Sequence, residues 1–307
     1  MNYQIRHFAI KLVTFCFLFL IIFILTLFSF SVIIYQSKSI YAIDKSCNIL
    51  ILGDSHTECA LNDTHLPHSV NISASADAYI YSYLKMKKLI NNNPQIDTIL
   101  LGYGYHNLSP SLEEWVYGDK FILNKVPTYA CFMKNSEIQN VIKYNPQLAP
   151  SLILDIYRSA FKLSVKSIFG QNYNQAGFGG FRRLTYNKLK EDIQRLSRKK
   201  DHDEASFNSS PSQEKYLLMI SNYCKNNKIK LILIATPIYK NILKSSKNLK
   251  VLYYEYYNKY LTDNVLLDYS GENMPDSCYA DSEHLNRLGA KDFSLIVDNK
   301  LHCYQNK

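Results

Sequence analysis

The chain has 307 residues, 47% hydrophobic and 20% charged, which is enough apolar material for one sizeable core and an additional segment and excludes a disordered protein. Its formal charge is +9. In a soluble protein that excess would suggest nucleic acid, but this chain carries a membrane-length apolar run, so the charge reads as attraction to anionic lipid or a polyanionic envelope glycan, with no nucleic-acid partner.

From Leu12 to Ile34 the sequence runs LVTFCFLFLIIFILTLFSFSVII without a charge, long enough to cross roughly 30 Å of hydrocarbon as one helix. A cleavable signal has an apolar stretch of only about 7–15 residues and ends at a small-residue site. The run is therefore expected to stay as a transmembrane anchor over 12–34, after a cytoplasmic N-terminus (1–11) and before a linker (35–45). Arg6 and Lys11 precede the span and Lys38 and Lys45 follow it, a slight bias. The short N-terminus then places the domain beyond Tyr35 on the periplasmic or cell-surface side of an inner or plasma membrane.

Past the linker, Cys47–Leu52 is a continuous apolar run that stops at Gly53-Asp54-Ser55, the pattern of a buried strand feeding a turn. Further strands are expected over Ser69–Ser73, Thr98–Leu101, Ile229–Ala235 and Val265–Leu267, with a helix over Asp77–Ile90. Strands alternating with helix-length segments predict a mainly parallel sheet covered on both faces, an α/β fold of three layers (α/β/α) over residues 46–307. Between the third and fourth strands lies a connection of roughly a hundred residues, far longer than usual, which predicts a helical insertion at about 108–228. Within it, Gly170–Gly180 is glycine-rich but follows no strand, so it reads as a mobile loop or lid and not a phosphate cradle. Lys188–Lys200 reads as an amphipathic helix with a solvated face, and Asp201–Ser212 as an exposed polar loop.

Of seven cysteines, Cys16 lies in the span and Cys47, Cys59, Cys131, Cys224, Cys278 and Cys303 lie beyond it. They could pair in an oxidising compartment or sit singly in a core. His65-x-x-His68 is interrupted by Pro67 and lacks a carboxylate at ligand spacing, so no metal and no cofactor are expected. Tyr253, Tyr254, Tyr256 and Tyr257 are expected to pack a helix onto the domain, with sugar stacking as the other reading.

Two short motifs carry chemistry, Gly53-Asp54-Ser55-His56 after the first strand and Asp281-Ser282-Glu283-His284 before the last helix. A serine hydroxyl is a poor nucleophile at its own pKa and needs an imidazole to take its proton; His284 is the candidate. That imidazole needs its second nitrogen held and its developing charge balanced, and Asp281, three residues earlier, can do both. The same residues also have ordinary uses, Gly-Asp-Ser as a strand-ending turn and His284 as a histidine at a helix start. Asp54 and His56 are secondary candidates, His56 as a residue that shapes the pocket.

Together the motifs resemble the first and last signature blocks of the SGNH (GDSL-like) hydrolase superfamily, whose fold is a flavodoxin-like sandwich. The form of residues 281–290, DSEHLNRLGA, is closest to the membrane-anchored extracytoplasmic SGNH domains of bacterial O-acyltransferase systems. The resemblance implies an oxyanion hole built from the Ser55 N–H, a backbone N–H in Asn71–Ala76 and an asparagine after the third strand. Ala76 stands where a glycine is usual, and Asn107 does not keep the family's Gly-x-Asn-Asp spacing. The activity implied is acyl, chiefly acetyl, transfer to or from hydroxyls of an extracytoplasmic glycan through an acyl-Ser55 intermediate, with a multi-pass membrane acyl exporter as a partner. A plain esterase or lipase is the alternative within enzymes. A non-catalytic glycan-binding or scaffold protein on the same fold is the alternative outside them.

Overall fold

A computed structural model of the chain describes residues 3–198, 208–240 and 247–305. Its strands are β1 (Ile49–Leu52), β2 (Ser69–Asn71), β3 (Thr98–Gly102), β4 (Lys230–Ala235) and β5 (Val265–Asp268), at the five positions the apolar runs indicate. They form one sheet in the order β2-β1-β3-β4-β5 with every pairing parallel. Helices α1 (Tyr3–Gln36), α2 (Ser55–Ala60), α3 (Tyr79–Asn92), α4 (Glu113–Tyr117), α5 (Asp119–Tyr129) and α6 (Asn135–Tyr144) occupy the first half of the chain. They are followed by α7 (Ala149–Ile168), α8 (Tyr173–Ala176), α9 (Leu189–Arg198), α10 (Pro211–Asn226), α11 (Lys247–Tyr260) and α12 (Arg287–Gln305).

Because successive strand side chains point to opposite faces, the sheet divides its apolar residues between two clusters. Leu50, Leu52, Leu101 and Leu233 meet Met86 and Leu89 of α3, Leu217 and Ile220 of α10, and Tyr253 and Tyr256 of α11. Ile49, Ile51, Leu100 and Ile232 meet Ala60 of α2 and Phe293 and Val297 of α12. The central strands are thus buried on both sides, which is why they read as continuous apolar runs and not as alternating ones. Each fully buried Leu or Ile contributes roughly 1.5–3 kcal/mol. The tyrosine cluster packs α11 as expected, with Tyr253 fully buried and its ring stacked on Tyr103 at 4.4 Å.

The insertion takes the form of helices α4 to α9, whereas α10 is the crossover that a parallel β3–β4 pair requires and belongs to the main core. In α9, Leu189 and Ile193 face the core and Lys190, Glu191 and Arg195 face out, whereas Asp192 is buried; residues 199 and 200 of that stretch, and 201–207 of the polar loop, lie outside the described residues. The linker, residues 35–45, is docked on the domain: Ile40 and Tyr41 are fully buried, and Asn93 donates to Tyr41 O (2.7 Å) and accepts from Ile43 N (2.8 Å). One segment differs from expectation. The end of the glycine-rich stretch is a packed clamp and not a lid. Phe178 is buried, and Gly179, at φ +139°, lies so close to Ile72 O and Ser73 O that a Cβ would stand 2.5 Å from both.

Helix α1 is long and apolar enough to cross a membrane, and residues 3–22 of it are exposed throughout. The described cysteine side chains, Cys16, Cys47, Cys59, Cys131, Cys224 and Cys278, are all free thiols; the side chain of Cys303 lies outside the described residues. Burial pushes the Cys59, Cys131 and Cys224 thiols up to about 12, so they behave as inert core residues.

Candidate active site

The turn that carries Ser55 begins where β1 runs out. Gly53 takes φ +148°, and a Cβ there would lie 2.3 Å from Thr57 Oγ1, so only glycine lets the chain turn tightly into α2. Asp54 caps that helix by accepting from His56 N at 2.9 Å. Ser55 is the first helical residue, partly exposed, and its N–H is one of those for which a helix has no internal acceptor. That free donor and the positive end of α2 both favour negative charge beside Ser55 Oγ.

Ser55 Oγ lies 2.9 Å from His284 Nε2, and His284 Nδ1 lies 2.9 and 3.1 Å from the two oxygens of Asp281. Asp281 Oδ1 also accepts the backbone N–H groups of Glu283 (3.0 Å) and His284 (2.9 Å), a local turn that makes the three-residue spacing work. A carboxylate at Nδ1 leaves Nε2 free to accept from the serine hydroxyl. Burial opposes a charged ring at His284, but the Asp281 hydrogen bond and charge outweigh it and raise the His284 pKa. Burial likewise opposes the Asp281 charge, and His284 and the two backbone donors overcome it and lower its pKa. The sequence-predicted Ser55, His284 and Asp281 therefore meet in one relay.

Asp54, a secondary candidate, forms with His106 a second acid–base pair that the sequence reading did not isolate, and His56, the other candidate, packs beside it. Asp54 is buried and receives His106 Nε2 at 2.6 Å and Asn107 Nδ2 at 2.8 Å. Burial penalises its charge, yet His106 and His56 hold the carboxyl well below the usual range. For His106, burial opposes protonation but Asp54 prevails and raises the pKa. The His56 ring stacks on His106 (centroids 4.1 Å apart) and leans on His284 (5.1 Å). Burial and the positive charge of His106 push His56 down to about 3, so it sits as a neutral wedge between the two rings. The signal for His106 was its place in the loop after β3, at the carboxyl end of the sheet where such groups gather.

Of the two oxyanion-hole candidates beyond Ser55, Asn107 is buried and fixed. Its Oδ1 accepts from Gly104 N at 2.6 Å and its Nδ2 donates to Asp54. Nε2 of His106, 2.6 Å from a carboxylate oxygen, carries a proton and cannot accept from Nδ2 at 3.2 Å, so one Nδ2 hydrogen of Asn107 remains uncommitted. Ala76 adopts φ +55°, the left-handed conformation in which glycine is usual, at a cost of roughly 1–2 kcal/mol.

Its loop is held by groups with no sequence signature. Fully buried Lys85 donates to Asp77 (2.7 Å) and to Ile72 O (2.5 Å), Lys125 donates to Asp77 (2.6 Å), and Tyr129 OH to the same carboxylate (2.7 Å). Ala74 N donates to Gly53 O at 3.1 Å, tying this loop to the turn that carries Ser55.

A strap formed by residues 177–188 crosses all three parts. Gly180 N donates to Ser73 O (3.0 Å), Arg182 N to Glu58 O on α2 (2.8 Å), and Lys188 N to Ala280 O (2.7 Å), while Leu184 O accepts from Arg287 N (2.8 Å). Asp192 of α9 then accepts from the N–H and hydroxyl of Ser282, between Asp281 and His284. Among the described residues, no group of three or more His, Cys, Asp or Glu is placed to share a metal ion. His68 is occupied with Ser46 O at 2.9 Å.

A model of an uncharacterised protein family matches residues 177–304, a stretch that begins at the strap and takes in Asp281 and His284 but not Ser55. No curated protein matches the chain.

Proposed function

We propose that this protein is a membrane-anchored serine enzyme of the SGNH type that forms an acyl-Ser55 intermediate and transfers the acyl group, chiefly acetyl, to or from hydroxyls of an extracytoplasmic glycan. The observation that carries the reading is the relay from Ser55 Oγ through His284 to Asp281 at 2.9 Å per step. On attack, the serine proton passes to His284 Nε2, Asp281 balances the imidazolium, and the oxyanion gains the Ser55 N–H and the spare hydrogen of Asn107. His284 then returns its proton to the leaving oxygen, and a second hydroxyl, from water or a sugar, resolves the ester by the reverse path.

The strand order 2-1-3-4-5, with helical clusters on both faces, supports the flavodoxin-like, three-layer form of the SGNH fold. The two departures from the family pattern speak less for a scaffold than the sequence suggests. Ala76 takes the backbone conformation a glycine would, and Asn107 keeps a donor. Helix α1 serves as the anchor in this reading, with the domain on the outer side.

The test is acylation of the full-length protein in detergent by p-nitrophenyl acetate, followed by intact mass. An acetyl adduct or turnover in wild type that is lost in Ser55→Ala and His284→Ala supports the reading. Absence of both in folded wild type makes the glycan-binding or scaffold reading the better one. Added glycan acceptors then separate transfer from hydrolysis.

A further inference from the structure

Helix α7 lies against the part of α1 that a membrane span must bury. The Tyr157 ring stacks on Phe23 at 4.8 Å and also meets Phe30 at 5.6 Å, Phe161 meets Phe30 at 5.6 Å, and Ser164 Oγ donates to Phe30 O at 3.4 Å. A span needs about 20 residues at 1.5 Å each. Counted from Leu12, the first residue after Lys11, such a span ends near Ser31; moving it toward the C-terminus only takes Phe23 and Phe30 deeper. The far boundary has its own mark at Tyr35, which is exposed and carries Lys88 over its ring at 5.0 Å, the kind of pair found at headgroup level. Residues that touch Phe23 and Phe30 are therefore at hydrocarbon depth.

The outward face of α7 suits that position. Leu154, Phe161, Val165 and Ile168 fall on one stripe, continued by Phe169, and they are 44, 51, 36, 68 and 76% exposed. A run of large apolar side chains this open is unusual beside water, and it continues the bare apolar surface of α1. The charge on this face is handled as charge near a membrane is. Arg158 pairs with Asp155 at 3.0 Å, Lys166 Nζ donates to Ala176 O at 3.2 Å, and Lys162 stands near the shallow end, where long side chains reach the headgroups.

We infer that α7 is a second membrane element, seated in the leaflet next to the domain beside α1, with lipid as the occupant of its Leu154–Phe161–Val165 face and with Ile168 and Phe169 at the headgroup boundary. Two helices packed side by side fix the domain's orientation as well as its distance from the bilayer, so the site rides at a set angle and does not swing on a single tether. This inference rests on the reading of α1 as a span and is independent of the chemistry at Ser55.

The sequence has a single tryptophan, Trp115, so Trp115→Phe gives a tryptophan-free background. Into it go, one at a time, Phe17→Trp in the span, Leu154→Trp and Phe161→Trp on α7, and Val251→Trp on α11. Each full-length variant is placed in phosphatidylcholine nanodiscs with and without chain-brominated lipid. Quenching at positions 154 and 161 within about twofold of that at 17, with little at 251, is the expected result. Quenching at 17 but only the level of 251 at 154 and 161 overturns the inference and leaves the anchor standing. No quenching at 17 overturns the anchor and the inference with it. Position 154, toward the deep end of the exposed stripe, gives a readout even where Phe161→Trp disturbs the contact with Phe30.

Discussion

Replacing Asp281 with asparagine tests the relay at the residue whose geometry is most constrained. Its Oδ1 serves three donors, Glu283 N, His284 N and His284 Nδ1, within 3.0 Å. Asparagine keeps an oxygen for the two backbone N–H groups, so the turn survives. Its NH2 must then face Nδ1, which forces that nitrogen to accept and puts the ring proton on Nε2, where the serine proton needs to go. In triads of this design that tautomer error costs on the order of 10⁴ in kcat, or about 5.5 kcal/mol. A second readout follows from the raised pKa of His284. Wild-type activity is expected to rise with pH as His284 loses its proton, with a midpoint above the ordinary histidine value, and removing the Asp281 charge should move the midpoint of any residual activity down. The assay is p-nitrophenyl acetate hydrolysis by full-length protein in detergent from about pH 5 to 9. A loss smaller than about tenfold, or a midpoint that stays in place, refutes the assignment of Asp281.

Three further substitutions probe the groups around the relay. His106→Gln removes the charge opposite Asp54: the raised His106 pKa makes its contribution complete below the ordinary 6.5 and lost as pH rises through the folded value, and the depressed Asp54 pKa makes its own present above 3.8 and lost in acid. The Tm difference from wild type is therefore expected to be larger at about pH 5 than at about pH 9, and equal differences would contradict the pairing. Lys85→Met breaks a buried pair but leaves Asp77 with Lys125 and Tyr129, so the expected loss is near the low end of about 3–5 kcal/mol, seen as a Tm lowered by roughly 6–12 °C. Gly179→Ala drives a methyl against Ile72 O and Ser73 O, and a melt should show about 1–3 kcal/mol of destabilisation, with acetylation of Ser55 slowed because the same carbonyls carry the Ala76 loop.

The sheet was legible because its strands are buried on both faces and therefore appear as uninterrupted apolar runs; Ile49–Leu52 and Thr98–Gly102 needed no tertiary information to be found. The relay was legible because each of its parts is local: a strand-ending Gly-Asp-Ser and an Asp-x-x-His turn. The rest depends on contacts between distant segments. Asp54–His106 joins residues 52 positions apart, Lys85 reaches Phe178 O across 93, and Asp192 reaches Ser282 across 90, with no spacing rule connecting any of these pairs. Glycine-rich sequence suggested motion over Gly170–Gly180, but glycine also permits close backbone approach, and at Gly179 that second use prevails.

The strap explains how a relay drawn from opposite ends of the chain holds its register. Ser55 and His284 are 229 residues apart in sequence, and a catalytic contact tolerates only about 0.5 Å of error. Arg182 N is fixed to Glu58 O, one turn beyond Ser55 on α2, and Lys188 N to Ala280 O, next to Asp281. Six residues of chain therefore link the element that carries Ser55 to the turn that carries His284, while Asp192 holds that turn from the other side. The earlier insertion helices α4 to α7 make none of these hydrogen bonds. Changes in α4, α6 and α7, away from the α5 residues Lys125 and Tyr129 that hold the Asp77 loop, should then leave the Ser55–His284 distance alone, whereas shortening the strap by one residue, which spans about 3.3–3.6 Å when extended, should pull its two ends out of register.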